Sequence, residues 1–378
     1  MIEIKGKKDC CGCHACVMVC AKHCITMQPD EEGFLYPVVD KEACSNCGLC
    51  EKVCPVINQS ELRKPLKVYV AKNKNEEIRH QSSSGGIFTL FAEKVIEEGG
   101  IVFGARFNEN WDVVHAWTDT IEGIAPFRGS KYVQSTIGDT YREAKDFLKL
   151  GRKVLFSGTP CQIAGLKKYL RREYDNLLTI DVVCHGVPSP KVWREYLRGI
   201  NNSQFPISYV NLRSKNRGWS QYSYLIKASD NVLYDDFAYK SPFSQGFSLN
   251  LTLRPSCYDC PARSGSSNAD ITLADCWGIQ KLENIKNDDK GYSSVILWRD
   301  AMSVSSSLAE FITCELEYDF VIENNPSIVI SPVKPYCRKK FWSIYKKRGV
   351  EAVTIVANKL KGNYFFRAYN KIRTLLNL

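Results

Sequence analysis

The chain has 378 residues, a formal charge of +10 and 44% hydrophobic residues. That length suits two or more domains of about 150 residues, with apolar content ample for a core. No apolar run approaches the ~18 residues of a membrane-spanning helix, and no nucleic-acid-binding motif accompanies the charge, so nucleic acid is not an expected partner.

Ten of the 17 cysteines fall in the first 55 residues. Cys10, Cys13, Cys16 and Cys20 form one run, and Cys44, Cys47, Cys50 and Cys54 a second. Both read C-x-x-C-x-x-C-x-x-x-C, the spacing that wraps a [4Fe–4S] cluster. The tight loop aims three thiolates at one cube, and the fourth, a helical turn further on, points at the other cube. The expected partition is therefore crossed: Cys10, Cys13, Cys16 and Cys54 for one cluster, and Cys44, Cys47, Cys50 and Cys20 for the second. The first run ends Cys20-Ala21 where the ferredoxin pattern has Cys-Pro, which removes a stiffening residue but no ligand. Cys11 and Cys24 are read as spare or packing thiols. Zinc sites favour two C-x-x-C pairs over a run of four, and disulfide frameworks suit small secreted domains. The opening MIEIKGKK lacks an apolar signal segment, so a reducing cytoplasm is the expected compartment. Residues 1–57 resemble bacterial two-cluster ferredoxins, which implies two [4Fe–4S] clusters and one-electron transfer.

Residues 58–66 are polar and contain Pro65, and read as a linker. The body, 67–332, alternates strand and helix patterns in an N-terminal part (about 67–150) and a C-terminal part (about 151–332). Val68–Ala71 reads as a strand, followed by Ser82-Ser83-Ser84-Gly85-Gly86, a helix from about Ile87 to Glu98, and a strand at Ile101–Phe107. A Ser/Gly turn opening a helix gathers free N–H groups that suit a phosphate, and an ordinary helix cap explains it about as well. Val154–Phe156 reads as a strand running into Ser157–Gln162 and a helix through about Leu170. Leu177–Val183 repeats the pattern, ending Cys184-His185-Gly186 before a helix near Lys191–Leu197. Two successive strand–turn–helix units predict a parallel sheet, with ligands at the carboxyl ends of its strands. Cys161 and Cys184 both fall at that edge.

Residues 205–255 read as β structure, followed by Cys257-Tyr258-Asp259-Cys260-Pro261 and an alternating strand at Ala269–Asp275. A lone C-x-x-C serves equally as a redox pair, half a zinc site or half a cluster site. With Cys161 and Cys184 it makes four thiolates, enough for a third [4Fe–4S] cluster or for zinc. Cys276, Cys314 and Cys337 are read as structural. Neither the G-x-G-x-x-G fingerprint nor the P-loop pattern is present, so no Rossmann-type nicotinamide site is expected.

The motifs SSSGGIF (82–88), RGSKYVQS (128–135), GTPCQIAGL (158–166), CHGVPSP (184–190) and CYDCPAR…ADITLADCWGI (257–279) resemble those of the family of coenzyme F420 hydrogenase/dehydrogenase β subunits. The resemblance spans about 67–350. It implies an α/β (α+β overall) flavin domain that binds FAD and passes electrons between iron–sulfur clusters and an organic substrate or a deazaflavin-like coenzyme. Some bacterial relatives are associated with surface-polysaccharide gene sets. Carried onto this chain, it makes Ser83, Ser84, Gly85, Gly86, Lys131, Thr159, Pro160 and Gln162 the flavin-site residues. Cys161, Cys184, Cys257 and Cys260 become the ligands of a cluster beside the flavin. The catalytic residues are not specified.

The last segment, Val333–Leu378, holds twelve Lys or Arg against one acid, Glu351. It is rich in aromatic residues, and Val353, Val356, Ala357 and Leu360 recur at helical spacing. A basic helical tail of this kind can lie on the inner membrane face, dock an acidic partner, or cover the body as a solvated face. The function expected from the whole is an iron–sulfur flavoprotein oxidoreductase with a redox partner protein and a small organic substrate. The alternative is an electron-transfer subunit that bridges partners without a substrate site of its own.

Overall fold

The computed structural model describes residues 1–201, 205–299 and 311–362. The chain is a mixed α/β protein with a small ferredoxin-like module, a large mixed-sheet domain and C-terminal helices. The first module carries α1 (Ala15–Val19), an antiparallel hairpin of β1 (Ile25–Pro29) and β2 (Leu35–Val39), and α2 (Leu49–Lys52). Each short helix follows one cysteine loop and starts from a left-handed residue, His14 (φ 63°) or Gly48 (φ 73°). Gly48 takes that conformation without strain, whereas His14 holds it at a steric cost. The segment expected as a linker is fastened to the body, because Arg63 donates to the carbonyls of Gly265 (2.7 Å) and Ala269 (2.6 Å).

The body then gives β3 (Lys67–Ala71), α3 (Glu76–Gln81), α4 (Ile87–Glu97), β4 (Ile101–Phe107), β5 (Val113–Thr118), α5 (Thr140–Lys149), β6 (Val154–Gly158), α6 (Pro160–Leu170), β7 (Leu177–Val182) and α7 (Pro190–Ile200). Next come β8 (Ile207–Ser214), β9 (Ser223–Ala228), β10 (Asn231–Phe237), α8 (Pro242–Ser248), β11 (Ile271–Asp275), β12 (Ser293–Leu297), β13 (Ile312–Glu315) and α9 (Tyr318–Asn324). Eight strands form one sheet in the order β13-β3-β12-β11-β7-β6-β4-β5. Its centre, β11-β7-β6-β4, is parallel, as the strand–turn–helix units predict, and its margins are antiparallel. Strands from 67–118 and from 154–315 thus share a single sheet. Strands β8–β10 make a separate antiparallel meander.

The period-two alternation of the strands sorts residues between the two faces. Ile101, Phe103, Val154 and Phe156 face α5 and α6, and Ala15, Met18 and Val53 of the ferredoxin-like module join that core. Val102 and Leu155 face the other way, against Ile87, Phe91 and Val95 of α4. Gly165 on α6 permits the close approach of the first module: a Cβ there would stand 2.8 Å from Cys13 Cβ.

The tail enters as α10 (Arg338–Arg348) and α11 (Glu351–Gly362). Phe341, Trp342, Tyr345, Val353, Val356 and Leu360 are buried in one core with Trp193, Tyr196 and Phe243. Of the three roles open to the tail, covering the body is the one its apolar stripe takes over these residues. The exposed faces keep Lys339, Lys340, Lys346, Lys347 and Arg348. Tyr364, Phe365, Phe366 and Tyr369 lie outside the described residues. Among the described residues no helix is long and apolar enough to cross a membrane.

Candidate redox site

Strands β6 and β7 are parallel neighbours, with Gly158 opposite Asp181. Thr159 then caps α6 in a reciprocal box with Gln162, and Pro160 takes the first helical position. Cys161 is therefore held on the first turn of α6, and Cys184 just past the end of β7. The short helical segment Pro255–Asp259 brings in Cys257 and ends at Cys260. All four thiols line one cavity, together with Cys11, Asp181, Arg254 and Arg263. Cys11, expected as a spare or packing thiol, is buried in the core with Cys13 and Tyr141 and also forms part of this cavity's wall. The neighbouring Cys11 thiol and burial raise the Cys161 pKa, while burial raises Cys184, pushes Cys257 to about 12 and Cys260 to about 11. Crowded buried thiols keep their protons until a cationic core replaces them, so the donor set fits an iron–sulfur occupant. Among the described residues no three His, Cys, Asp or Glu side chains close around a single-ion position; cysteines at the corners of a four-iron cube need not do so.

A second, smaller cavity is lined by Cys10, Cys13, Cys16 and Cys54, with Cys11 and His14 also in its wall. These are the four expected for one cluster. On the other side of the module, Cys20 lies 3.4 Å from Cys24, and Cys24 packs in one cluster with Cys20, Cys44 and Cys50. Cys50 accepts from the Ile2 amide at 3.2 Å, and Cys47 is exposed. Cys24 accordingly stands among the thiols of the second set.

The third and largest cavity, about 530 Å³, opens at the carboxyl ends of β6, β7 and β11, where open α/β sheets bind ligands. Ser83, Ser84, Gly86, Lys131, Thr159 and Gln162 all line it. Gly85 and Pro160 are not in its wall. The Gly85 amide donates to Ser293 Oγ (3.0 Å), and a Cβ there would meet the Ala71 carbonyl at 2.5 Å, so Gly85 lets the turn pack on β3 and β12. Pro160 lines the four-thiol cavity instead. The Lys131 ammonium turns back on its own loop, donating to the carbonyls of Pro126 (2.7 Å), Arg128 (2.8 Å) and Gly129 (3.2 Å). Burial pulls its pKa down to about 7. Ser83 Oγ accepts from the Ser130 amide at 2.7 Å and ties the same loop to the turn before α4.

Residues 68–140 match the family profile for the N-terminal part of the coenzyme F420 hydrogenase/dehydrogenase beta subunit, and residues 151–303 match the profile for its C-terminal part. The chain belongs to this family. Residues 9–58 match a 4Fe–4S dicluster domain, so the first module is of that kind. Over 215 residues the chain is 26% identical to a subunit of the F(420)H(2) dehydrogenase of Methanosarcina mazei, covering 52% of this chain and 60% of that protein. Over 211 residues it is 31% identical to the coenzyme F420-dependent sulfite reductase of Methanocaldococcus jannaschii, covering 52% of this chain and 31% of that protein. The matches span less than two thirds of either curated relative. A chain of the F420-reducing [NiFe] hydrogenase complex from Methanosarcina barkeri, solved in a xenon derivatization, is similar with a TM-score of 0.46 at 17% identity, covering 80% of this chain and 94% of that one.

Two residues in the wall of the large cavity carry no sequence signal. His115 lines the large cavity, its ring stacked on Phe156 at 5.6 Å. Its Nε2 meets the Ser157 carbonyl at 3.0 Å, while its buried Nδ1 has no partner. Burial pulls its pKa down to about 4, so the ring is neutral, and the carbonyl requires the proton on Nε2. Arg213, also in the wall, is held by Asp275 at 2.9 Å and lies 3.9 Å over the Tyr222 ring, with Nε unpartnered. Each is an isolated residue in its own strand, and only folding carries it to the cavity.

Proposed function

We propose that the protein is an iron–sulfur flavoprotein oxidoreductase that carries electrons between ferredoxin-type clusters and a flavin. In this reading Cys10, Cys13, Cys16 and Cys54 hold one [4Fe–4S] cluster, and Cys44, Cys47, Cys50 and Cys20 a second. Cys161, Cys184, Cys257 and Cys260 hold a third. The cavity of about 530 Å³ takes FAD, with a small organic substrate or a deazaflavin coenzyme at its mouth.

One observation carries the reading: the four-thiol cavity shares wall residues with each of the other two. Cys11 lines both the first cysteine cavity and the four-thiol cavity. Val182, Val183, Cys184, Gly186 and Val187 line both the four-thiol cavity and the large one. When bound, clusters supply one-electron transfer, and a flavin connects it to two-electron chemistry. The chain's own residues bind and orient. Ser83, Ser84 and Gly86 place the N-terminus of α4 at the wall, where its N–H groups favour a phosphate. Arg213 offers a fixed positive charge, and His115 Nδ1 an unprotonated acceptor.

The names of the curated relatives support a deazaflavin as the two-electron partner. A cytoplasmic setting and an acidic redox partner, received on the exposed lysines of α10, complete the proposal. The second reading, an electron-transfer subunit that only bridges proteins, is favoured by one feature: exposed Cys47 offers a docking side to an outside donor.

Anaerobic reconstitution with iron, sulfide and FAD tests the primary reading. About twelve irons per chain, falling by about four in Cys257→Ser, and one tightly held FAD are the expected results. A chain that takes up no flavin overturns it. A loaded chain that oxidises no small substrate without a partner supports the bridging role.

A further inference from the structure

Five arginines are buried among the described residues: Arg79, Arg213, Arg254, Arg263 and Arg338. Three are matched by a carboxylate, Arg79 by Asp288 (2.7 Å), Arg213 by Asp275 (2.9 Å) and Arg338 by Glu32 (2.5 Å). Arg254 and Arg263 pair with no Asp or Glu among the described residues. Arg254 donates to the carbonyls of Cys10 (2.7 Å) and Leu35 (2.9 Å), to Gln134 Oε1 (3.0 Å) and to Cys10 Sγ (3.5 Å). Arg263 donates to Ser331 Oγ (3.0 Å) and to the carbonyls of Ser327 and His185. Both line the four-thiol cavity.

A guanidinium buried without a counter-ion costs more than neutral hydrogen bonds return. The missing negative charge has a source inside the cavity. Arg254, Arg263 and the thiols of Cys161, Cys184, Cys257 and Cys260 all stand in the wall of this one cavity. Four thiolates around a four-iron cube are net negative before reduction and more so after it. Nearby positive charge and hydrogen bonds to sulfur therefore favour the reduced form.

We propose that Arg254 and Arg263 are positioning residues that supply the counter-charge for a polyanionic occupant of the four-thiol cavity, and that Arg254, bonded to Cys10 as well, raises the reduction potential of the neighbouring ferredoxin-type site. The proposal rests on the reading of three clusters given above. It makes the two cysteine cavities electrostatically coupled through one buried cation.

The test is an EPR-monitored redox titration of the full chain, reconstituted anaerobically, as wild type, Arg254→Met, Arg263→Met and the two Arg→Lys variants. Arg263→Met should lower the equilibrium constant for reducing one cluster at least tenfold, about 59 mV for a one-electron couple. Arg254→Met should lower two midpoints, and Lys at either position should recover most of the loss. Melting each variant with and without its iron separates this role from plain packing: each Met variant should cost the loaded protein more than the metal-free protein. If Arg254→Met does not fold, Arg263→Met and its Lys counterpart decide the matter alone. A wild-type count of about eight irons per chain would overturn the three-cluster reading itself. About twelve irons with unmoved midpoints, or equal losses of Tm in loaded and metal-free protein, would overturn this inference alone.

Discussion

The carboxylate of Glu32, in the hairpin of the ferredoxin-like module, grips the guanidinium of Arg338, at the start of α10, through two parallel hydrogen bonds of 2.8 and 2.5 Å. Both side chains are only 8% exposed. Arg338 also donates to the Leu253 carbonyl (2.8 Å) and the Tyr258 hydroxyl (2.9 Å), beside Cys257. One guanidinium therefore joins the first module, the C-x-x-C segment and the tail. This pair explains why the tail packs as part of the body: its first turn closes the interface that holds the cysteine cavities together.

Removing one partner of a buried pair leaves an uncompensated charge. Arg338→Met should destabilise the protein by about 3–5 kcal/mol, and the Glu32→Leu, Arg338→Met double variant should recover much of the loss. Urea unfolding of the metal-free chain measures both. Limited proteolysis should show earlier cleavage near Val333 in the single variant.

Gly165 bears on the docking of the first module. An added Cβ would meet Cys13 Cβ at 2.8 Å, Cys13 Sγ at 3.0 Å and the Tyr141 hydroxyl at 3.0 Å. Gly165→Ala should cost about 1–3 kcal/mol by overpacking. Since Cys13 is a proposed ligand, iron content should fall by about four per chain while the other clusters remain.

The Ser83–Ser130 link offers a test of the flavin site. Ser83→Ala removes the acceptor of the Ser130 amide (2.7 Å) and frees the loop that carries Lys131. A weakening of FAD binding by about tenfold, or ~1.4 kcal/mol, is expected from one lost hydrogen bond at a positioned loop. Fluorescence titration of the flavin-free protein reads it, and iron content should not change.

His115 ties stability to pH. Burial lowers its folded pKa from 6.5 to about 4. Below pH 6.5 the unfolded chain takes up a proton that the folded chain refuses until about pH 4. The neutral ring's contribution is therefore full above pH 6.5 and drains away as pH falls through that window, by roughly 3 kcal/mol. His14, lowered to about 4 mainly by burial, adds a similar slope. His115→Gln should weaken the loss of the urea midpoint as pH falls, and the gap between variant and wild type should narrow between pH 7 and 4.5.

Local pattern made much of this chain legible. The two cysteine runs place ligands within single loops, so spacing alone predicts them. Strands β6 and β7 and the capped helices after them follow from period-two runs and from Thr159-Pro160 and Ser189-Pro190. Less legible were residues whose role depends on neighbours distant in sequence. Lys131 is spent on its own loop carbonyls, and Gly85 on the contact with Ala71. Cys11 falls outside the cluster spacing, and only folding brings it to the wall of the cavity that Cys161, 150 positions away, also lines.

The sequence by itself determined the dicluster module and the strand–turn–helix rhythm, since both rest on interactions between residues close along the chain. Only the tertiary structure decided that Cys161, Cys184, Cys257 and Cys260 line one cavity, with Cys11 at its border. It alone decided that Arg254 and Arg263 are buried there, and that the tail's aromatic stripe is core. These depend on sheet order and burial, which set the cost of a charge or the contact of a thiol, and neither is encoded in any local run of residues.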